Sequence, residues 1–300
     1  MNAVVKGYLK LARPANLPTA AADILTGVAI AGIFSVAPNA SFFSSTLFYN
    51  VCLLVCSSVC LYAGGVIFND VFDAALDAVE RPERPIPSGL IPKRKATVYG
   101  SIVMLLGITL AFMVSYVSGL VSVVLTAAIL LYDGYSKNNG FLGPVNMGIC
   151  RGINLLFGIS IIGSFPYWYL AFIPVVYISA ITLISRGEVY GKNKGHIVFA
   201  AVLYSIVVLA VSVLSVFITE KALASLPFLV LFVYLVFTPL IKAYKENSPV
   251  NIKKAVKAGV ISLVVLDAAL AACFSQWWFG IVVLLLLPLS MYLSKLFAVT

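Results

Sequence analysis

The chain has 300 residues, 62% of them hydrophobic and 10% charged, with a mean hydropathy of +1.06. That balance excludes a soluble globular domain. The net charge of +9 would raise the question of nucleic acid in a soluble protein; here an excess of Lys and Arg on cytoplasmic loops accounts for it, and no nucleic-acid partner is expected.

A bilayer core of about 30 Å needs roughly 20 apolar residues per helical span, and apolar runs of that size recur along the chain. They lack the alternation of an outer-membrane barrel. At the N-terminus Lys6, Lys10 and Arg13 precede the first run. Pro14, Asn16 and Pro18 interrupt the junction and no small-residue cleavage site follows, so this reads as an uncleaved first span. Spans are expected at 17–36, 46–69, 97–114, 117–135, 147–163, 167–186, 197–218, 225–242, 256–273 and 276–296. The stretch from Ala255 to Thr300 is too long for one span and breaks at Ser275–Gln276. The reading is an all-α polytopic membrane protein of ten spans, or nine if the last segment is re-entrant, forming one membrane domain over residues 1–300.

With the N-terminus inside, the inside segments are 1–16, 70–96, 136–146, 187–196, 243–255 and the C-terminus. Nearly every Lys and Arg falls in or beside them; Lys221 is the clear exception. Such a bias sets topology. It predicts a multi-pass protein of the inner, cytoplasmic membrane, with segment 70–96 facing the cytoplasm.

That segment carries the chemistry. Asn69, Asp70, Asp73 and Asp77 close the second span, and spacings of three and four place the acids on one face of a helix. Only 11 residues of the chain are acidic, and carboxylates at a membrane boundary are costly and read as functional. Converging carboxylate oxygens suit Mg²⁺, which in turn holds phosphate oxygens. Inside segments supply cations around them: Arg13, Arg81, Arg84, Lys93, Arg94, Lys137, Arg151, Lys192 and Lys194. Arg suits bidentate capture of phosphate, while Lys acts as a point charge. A diphosphate site at the mouth of an apolar bundle suggests a polyprenyl diphosphate. Phe68, Phe72, Tyr132, Tyr135 and Tyr190 lie near the inside face and could shelter an allylic cation. Lys93, Arg94 and Lys95 read as topology signals. Cys52, Cys56 and Cys60 read as packing residues on one face of the second span, and His196 as a headgroup or capping residue. Asp23 and Asp267 lie within spans and need polar surroundings.

Asn69-Asp70-x-x-Asp73-x-x-x-Asp77 followed by Arg84-Pro85-Ile86-Pro87-Ser88-Gly89 resembles the first signature of the UbiA superfamily of intramembrane prenyltransferases. Arg13-Pro14-Ala15-Asn16 resembles that family's motif before the first span. Tyr132 to Lys137, with Gly143-Pro144 and Asn146, is similar to its Tyr/Lys loop. The resemblance implies a mostly nine-helix bundle around an apolar chamber under a cytoplasmic polar cap. It implies Mg²⁺ on Asp70, Asp73 and Asp77, with Asn69, Arg13 and Lys137 at the diphosphate. Arg81, Arg84, Arg151, Lys192, Asn16 and Tyr132 complete the expected substrate-binding set, and Glu188 joins the three aspartates as an expected catalytic acid. The family's second Asp-rich motif is replaced by Ser185-Arg186-Gly187-Glu188-Val189-Tyr190-Gly191-Lys192, with Glu188 its only acid. Asn138 stands where a basic residue often follows the Lys. Both departures resemble the divergent EboC-like branch. The implied activity is Mg²⁺-dependent transfer of a prenyl group from a polyprenyl diphosphate to an unidentified aromatic or lipid acceptor in the membrane. The alternatives are a UbiA-like protein that has lost transfer and binds prenyl lipid or a metabolite within an export system, and an ordinary secondary transporter.

Overall fold

The computed structural model describes residues 2–35, 43 and 45–297, and among them every regular element is helical. Thirteen α-helices follow in order: α1 (Ala3–Leu11), α2 (Leu17–Ile30), α3 (Thr46–Phe72), α4 (Ala74–Glu80), α5 (Lys93–Val114), α6 (Tyr116–Gly134), α7 (Leu142–Ile159), α8 (Phe172–Ser185), α9 (Lys194–Val213), α10 (Ala222–Lys245), α11 (Pro249–Phe274), α12 (Trp277–Leu284) and α13 (Leu286–Leu296). Hydroxyl caps set several of the boundaries. Ser45 Oγ accepts from the Phe48 amide, Ser115 Oγ from Ser118, and Ser248 Oγ from Asn251 at the start of α11, where Pro249 also fits the first turn.

Nine segments among the described residues are long and apolar enough to cross a membrane: α3, α5, α6, α7 extended to Ile162, α8 with the turn before it, α9 extended to Ile218, α10, α11, and α12 with α13. This is an integral multi-pass membrane protein. Ser275 and Gln276 separate α11 from α12 as expected. The final stretch, which could have been re-entrant, qualifies as a span at 20 residues. The expected first span is the one that falls short, because α2 has only 14 residues, or about 21 Å of helix.

The short helix is also the most enclosed. Every residue of α2 except Leu17 and Leu25 is buried, against α3, α7, α11 and α13. Close approach to α7 rests on two glycines. A Cβ on Gly27 would lie 2.4 Å from the Leu155 carbonyl oxygen, and one on Gly158 would lie 2.5 Å from that of Ile24. Small residues let helix backbones meet where lipid supplies no hydrophobic drive. The main core runs through α2, α7, α8, α9, α10 and α11. A smaller one joins Leu11 of α1, Ile67 and Val71 of α3, Ile86 and Ile91 of the following loop, and Ala96 of α5. Through Val71 the smaller core includes a residue of the acidic segment itself.

Candidate diphosphate site

The acids do not share one helix. α3 ends at Phe72, Asp73 (φ −82°, ψ 0°) stands between the helices, and α4 starts at Ala74. The backbone stays nearly continuous, with the Asp73 amide bonded to the Asn69 carbonyl at 2.9 Å and the Asp77 amide to the Asp73 carbonyl at 2.8 Å. The break nonetheless parts the side chains. Asp70 and Asp77 turn toward Arg84, whereas Asp73 turns toward Lys137.

Arg84 is the hub. Its Nη1 lies 2.6 Å from Asp77 Oδ2 and 3.3 Å from Asp70 Oδ1. The compact loop after α4 aims it there. The Ser88 amide closes back on the Arg84 carbonyl at 3.0 Å, the Ile91 amide on that of Pro85 at 2.9 Å, and Gly89 takes φ +76°. Ile86 and Ile91 anchor the loop in the smaller core. Arg13 completes the cluster, its Nη2 2.5 Å from Asp70 Oδ1. It sits at φ +46° between α1 and the turn that opens α2, a conformation that non-glycine residues adopt at a cost and that tends to mark functional sites. From the other side, Lys137 pairs with Asp73, and Asn69 Nδ2 donates to Asp133 Oδ1 at 2.8 Å. Asp133, at the end of α6, joins the cluster through this bond. In sequence it falls within the Tyr132 to Lys137 stretch, and its place beside Tyr132 in that loop brought it near the acidic segment.

Asp70, Asp73 and Asp77 are thus each paired with a cation, while Asp133 is held by Asn69. Asp70 Oδ2, Asp73 Oδ2 and Asp77 Oδ1 stay outside these ion pairs. No group of three acidic, His or Cys side chains converges into a metal cage among the described residues. The convergence of three carboxylates expected from the sequence is therefore not seen, because the break after α3 parts Asp73 from the other two. The oxygens left outside the ion pairs are the hard donors Mg²⁺ takes, one or two at a time together with substrate phosphates.

The other expected residues divide. Tyr132 is half-buried beside Asp133. Asn16 caps α2 through its backbone, its carbonyl accepting from Thr19 Oγ1 at 2.7 Å. Glu188 is partly buried, and this desolvation raises its pKa against the opposing pull of Lys253 and Arg81. Arg81 and Glu188 are therefore within electrostatic reach of one another, so the loops after α4 and α8 approach. Lys192 is exposed at φ +57° and takes no ion pair among the described residues.

Arg151 points elsewhere. Its Nη1 lies 2.7 Å from Asp23 Oδ2, its Nη2 donates to Thr19 Oγ1, and its guanidinium covers the Tyr62 ring at 5.1 Å. Asn154 Nδ2 donates to the same Asp23 oxygen at 2.8 Å, and Ser58 Oγ donates to Asn154 Oδ1 at 2.7 Å. The expected diphosphate ligand is instead the counter-charge that lets Asp23 sit inside the bundle. The signal lay in spacing: Thr19 and Asp23 are four apart on α2, and Arg151 and Asn154 three apart on α7, so each pair shares a helix face.

The UbiA prenyltransferase family model matches residues 25–188, a stretch that runs from inside α2 through the acidic segment to Glu188. The chain belongs to the UbiA prenyltransferase family. A digeranylgeranylglyceryl phosphate synthase of Methanococcoides burtonii is 33% identical over 159 residues, covering 53% of this chain and 56% of that protein. One of Methanoregula boonei is 28% identical over 184 residues, covering 61% and 60%. The chain thus spans little more than half the length of these relatives. Two UbiA homologues of known structure share the fold. One, from Aeropyrum pernix K1, has a TM-score of 0.66 at 14% identity, covering 84% of this chain and 96% of its own. The other, from Archaeoglobus fulgidus and bound to GPP and Mg²⁺, has a TM-score of 0.64 at 14% identity, covering 88% and 99%.

Proposed function

We propose that this UbiA family member is an intramembrane prenyltransferase. It binds a polyprenyl diphosphate at the Asp70–Asp73–Asp77 segment and passes the prenyl group to a lipid acceptor. The observation that carries the reading is the cation ring of Arg13, Arg84 and Lys137, each placed against one or two of those carboxylates. A site that balances its own acids with Arg and Lys can open to admit an anion and a metal together, because both kinds of partner are already in place. Mg²⁺ held by one or two of Asp70, Asp73 and Asp77 together with the substrate would add Lewis-acid stabilisation of the departing diphosphate.

The chain's own residues do the rest. Arg13, Arg84 and Lys137 turn from carboxylate to phosphate oxygens. Asn69 and Asp133 brace the end of α3 against the end of α6. Phe68 and Phe72, with ring centroids 6.4 Å apart, and Tyr132 offer aromatic faces to the allylic carbon as its bond to the diphosphate oxygen breaks and that oxygen keeps the electron pair. The acceptor's attacking atom forms the new bond to carbon and loses its proton. Glu188 is the proposed proton acceptor, since burial raises its pKa toward the range useful to a general base. The synthases among the relatives are named for a prenylated glyceryl phosphate, which supports a phosphate-bearing lipid as the acceptor class. Those names also favour an enzyme over a binder that has lost transfer. The one-sided placement of Lys and Arg supports a site facing the cytoplasm from the inner membrane.

The test supplies the purified protein with geranylgeranyl diphosphate, Mg²⁺ and a glyceryl phosphate lipid, and measures diphosphate release and prenylated lipid. Asp73→Ala turning over as fast as wild type would overturn the assignment.

A further inference from the structure

The face of α5 that the diphosphate site does not use carries an ordered chemical gradient. Arg94 and Lys95 lie in its first turn, Val98 and Tyr99 one turn on, and Ile102 another turn beyond. Residues four apart share a helix face, so over about 12 Å of helix the surface passes from cation through tyrosine to aliphatic. These side chains and Tyr8 of α1 line a groove of about 590 Å³. Tyr8 and Tyr99 meet edge to face within it, with centroids 5.2 Å apart and planes at 80°. Arg94 and Lys95 are exposed, and among the described residues they form no ion pair and no acid lines the groove. A topology signal needs the charges but not the groove.

We propose that this groove binds an anionic membrane phospholipid, its phosphate on Arg94 and Lys95 and a hydrocarbon chain along Val98 and Ile102. The gradient matches the order in which a lipid presents headgroup, interface and chain. Tyrosine suits the middle layer because its ring is apolar and its hydroxyl wet. A positive pair at the membrane surface with no acid between them selects an anionic headgroup over a zwitterionic one. Free phosphate would find the cations but leave the apolar wall unmatched.

The groove also touches the site through packing. Tyr8 and Tyr99 rest on the smaller core with Leu11 and Ile91, and α1 leads directly into Arg13, which reaches Asp70. A lipid seated against Tyr8 steadies the helix that delivers this cation. That coupling rests on the proposed transferase site, whereas lipid binding itself does not.

The experiment is native mass spectrometry of the full chain in mild detergent, titrated with phosphatidylglycerol or with phosphatidylcholine of the same chains. Retention of phosphatidylglycerol should exceed that of phosphatidylcholine about tenfold or more, from two cations near the surface. The Arg94→Gln/Lys95→Gln variant should lose the preference, and Lys253→Gln/Lys254→Gln should keep it. Equal retention of the two lipids, or an unchanged preference in the Arg94/Lys95 variant, overturns the proposal. So does displacement of phosphatidylglycerol by millimolar inorganic phosphate. Should that variant aggregate, Ile102→Asn tests the chain-binding wall alone and is expected to weaken phosphatidylglycerol retention several-fold; unaltered retention overturns that half of the proposal. A protein that binds the lipid but releases no diphosphate keeps this inference and loses the transferase reading.

Discussion

Arg84 shows how much one side chain can hold. A single Nη1 serves two carboxylates from two helices, so Arg84→Gln leaves Asp77 without a cation and Asp70 with Arg13 alone. We expect prenyl diphosphate affinity, measured by calorimetry in the presence of Mg²⁺, to fall about tenfold or more, since charge-assisted contacts to a phosphate are each worth about 1.5–3 kcal/mol. Arg84→Lys should recover little, because an ammonium lacks the planar fork. Glu188 makes the complementary case. Its folded pKa is raised by burial, so the stability it contributes is fully present below its unfolded value of about 4.3 and is lost as pH rises through the folded one. Glu188→Gln removes that loss. The thermal midpoint of the variant should gain on wild type as pH is raised from 4 to 7, while prenyl transfer falls and prenyl diphosphate binding is kept. A midpoint difference that stays flat with pH would contradict this. At this scale the place of an acidic segment at the end of α3 was legible, because Asn69, Asp70, Asp73 and Asp77 are consecutive enough for spacing to carry meaning. The parting of Asp73 from its neighbours was not. It depends on Lys137, 64 residues away, and on a helix break that no Gly or Pro announces.

Among elements, the seam between α2 and α7 carries the most consequence. Gly27 and Gly158 bring two backbones together, and the polar cluster of Thr19, Asp23, Arg151 and Asn154 lies along the same seam. Gly158→Ala forces a methyl against the Ile24 carbonyl and should cost about 1–3 kcal/mol, read as a lower unfolding midpoint in detergent. Arg151→Gln strands Asp23 inside the bundle and should cost about 3–5 kcal/mol, while the double variant Asp23→Asn/Arg151→Gln should regain much of it. If the double variant is no more stable than Arg151→Gln, the pairing is not what holds the two helices. The span that became α7 was legible in sequence, its packing glycines were not, and Arg151 was expected at the diphosphate. Charge alone cannot tell a cation that faces a ligand from one that faces a partner 128 residues distant; only the packing of α2 on α7 decides.

Across the whole molecule, Arg13, Arg84 and Lys137 come from three separate connecting segments and gather on one acidic cluster. The order of the spans was legible because each apolar run is close to the length a bilayer requires. The exception was the first, where hydropathy ran past the end of α2 and could not register its shortness. Chelating Mg²⁺ should abolish prenyl diphosphate binding yet leave the unfolding midpoint nearly unchanged, because Arg13, Arg84 and Lys137 already balance the acids in its absence. A large drop in the midpoint on chelation would point to a structural metal instead. The enclosure of α2 also bears on how the protein is made. At about 21 Å this helix is shorter than the hydrocarbon layer, and it carries Asp23, whose kind costs roughly 2.5–3.5 kcal/mol at the centre of an inserting helix. Its counter-charge on α7 and its cover from α11 emerge from the ribosome long afterwards. The helix synthesised first is thus seated late, and a chain halted before Arg151 should leave α2 accessible to water-soluble thiol reagents at an engineered cysteine that the finished protein conceals.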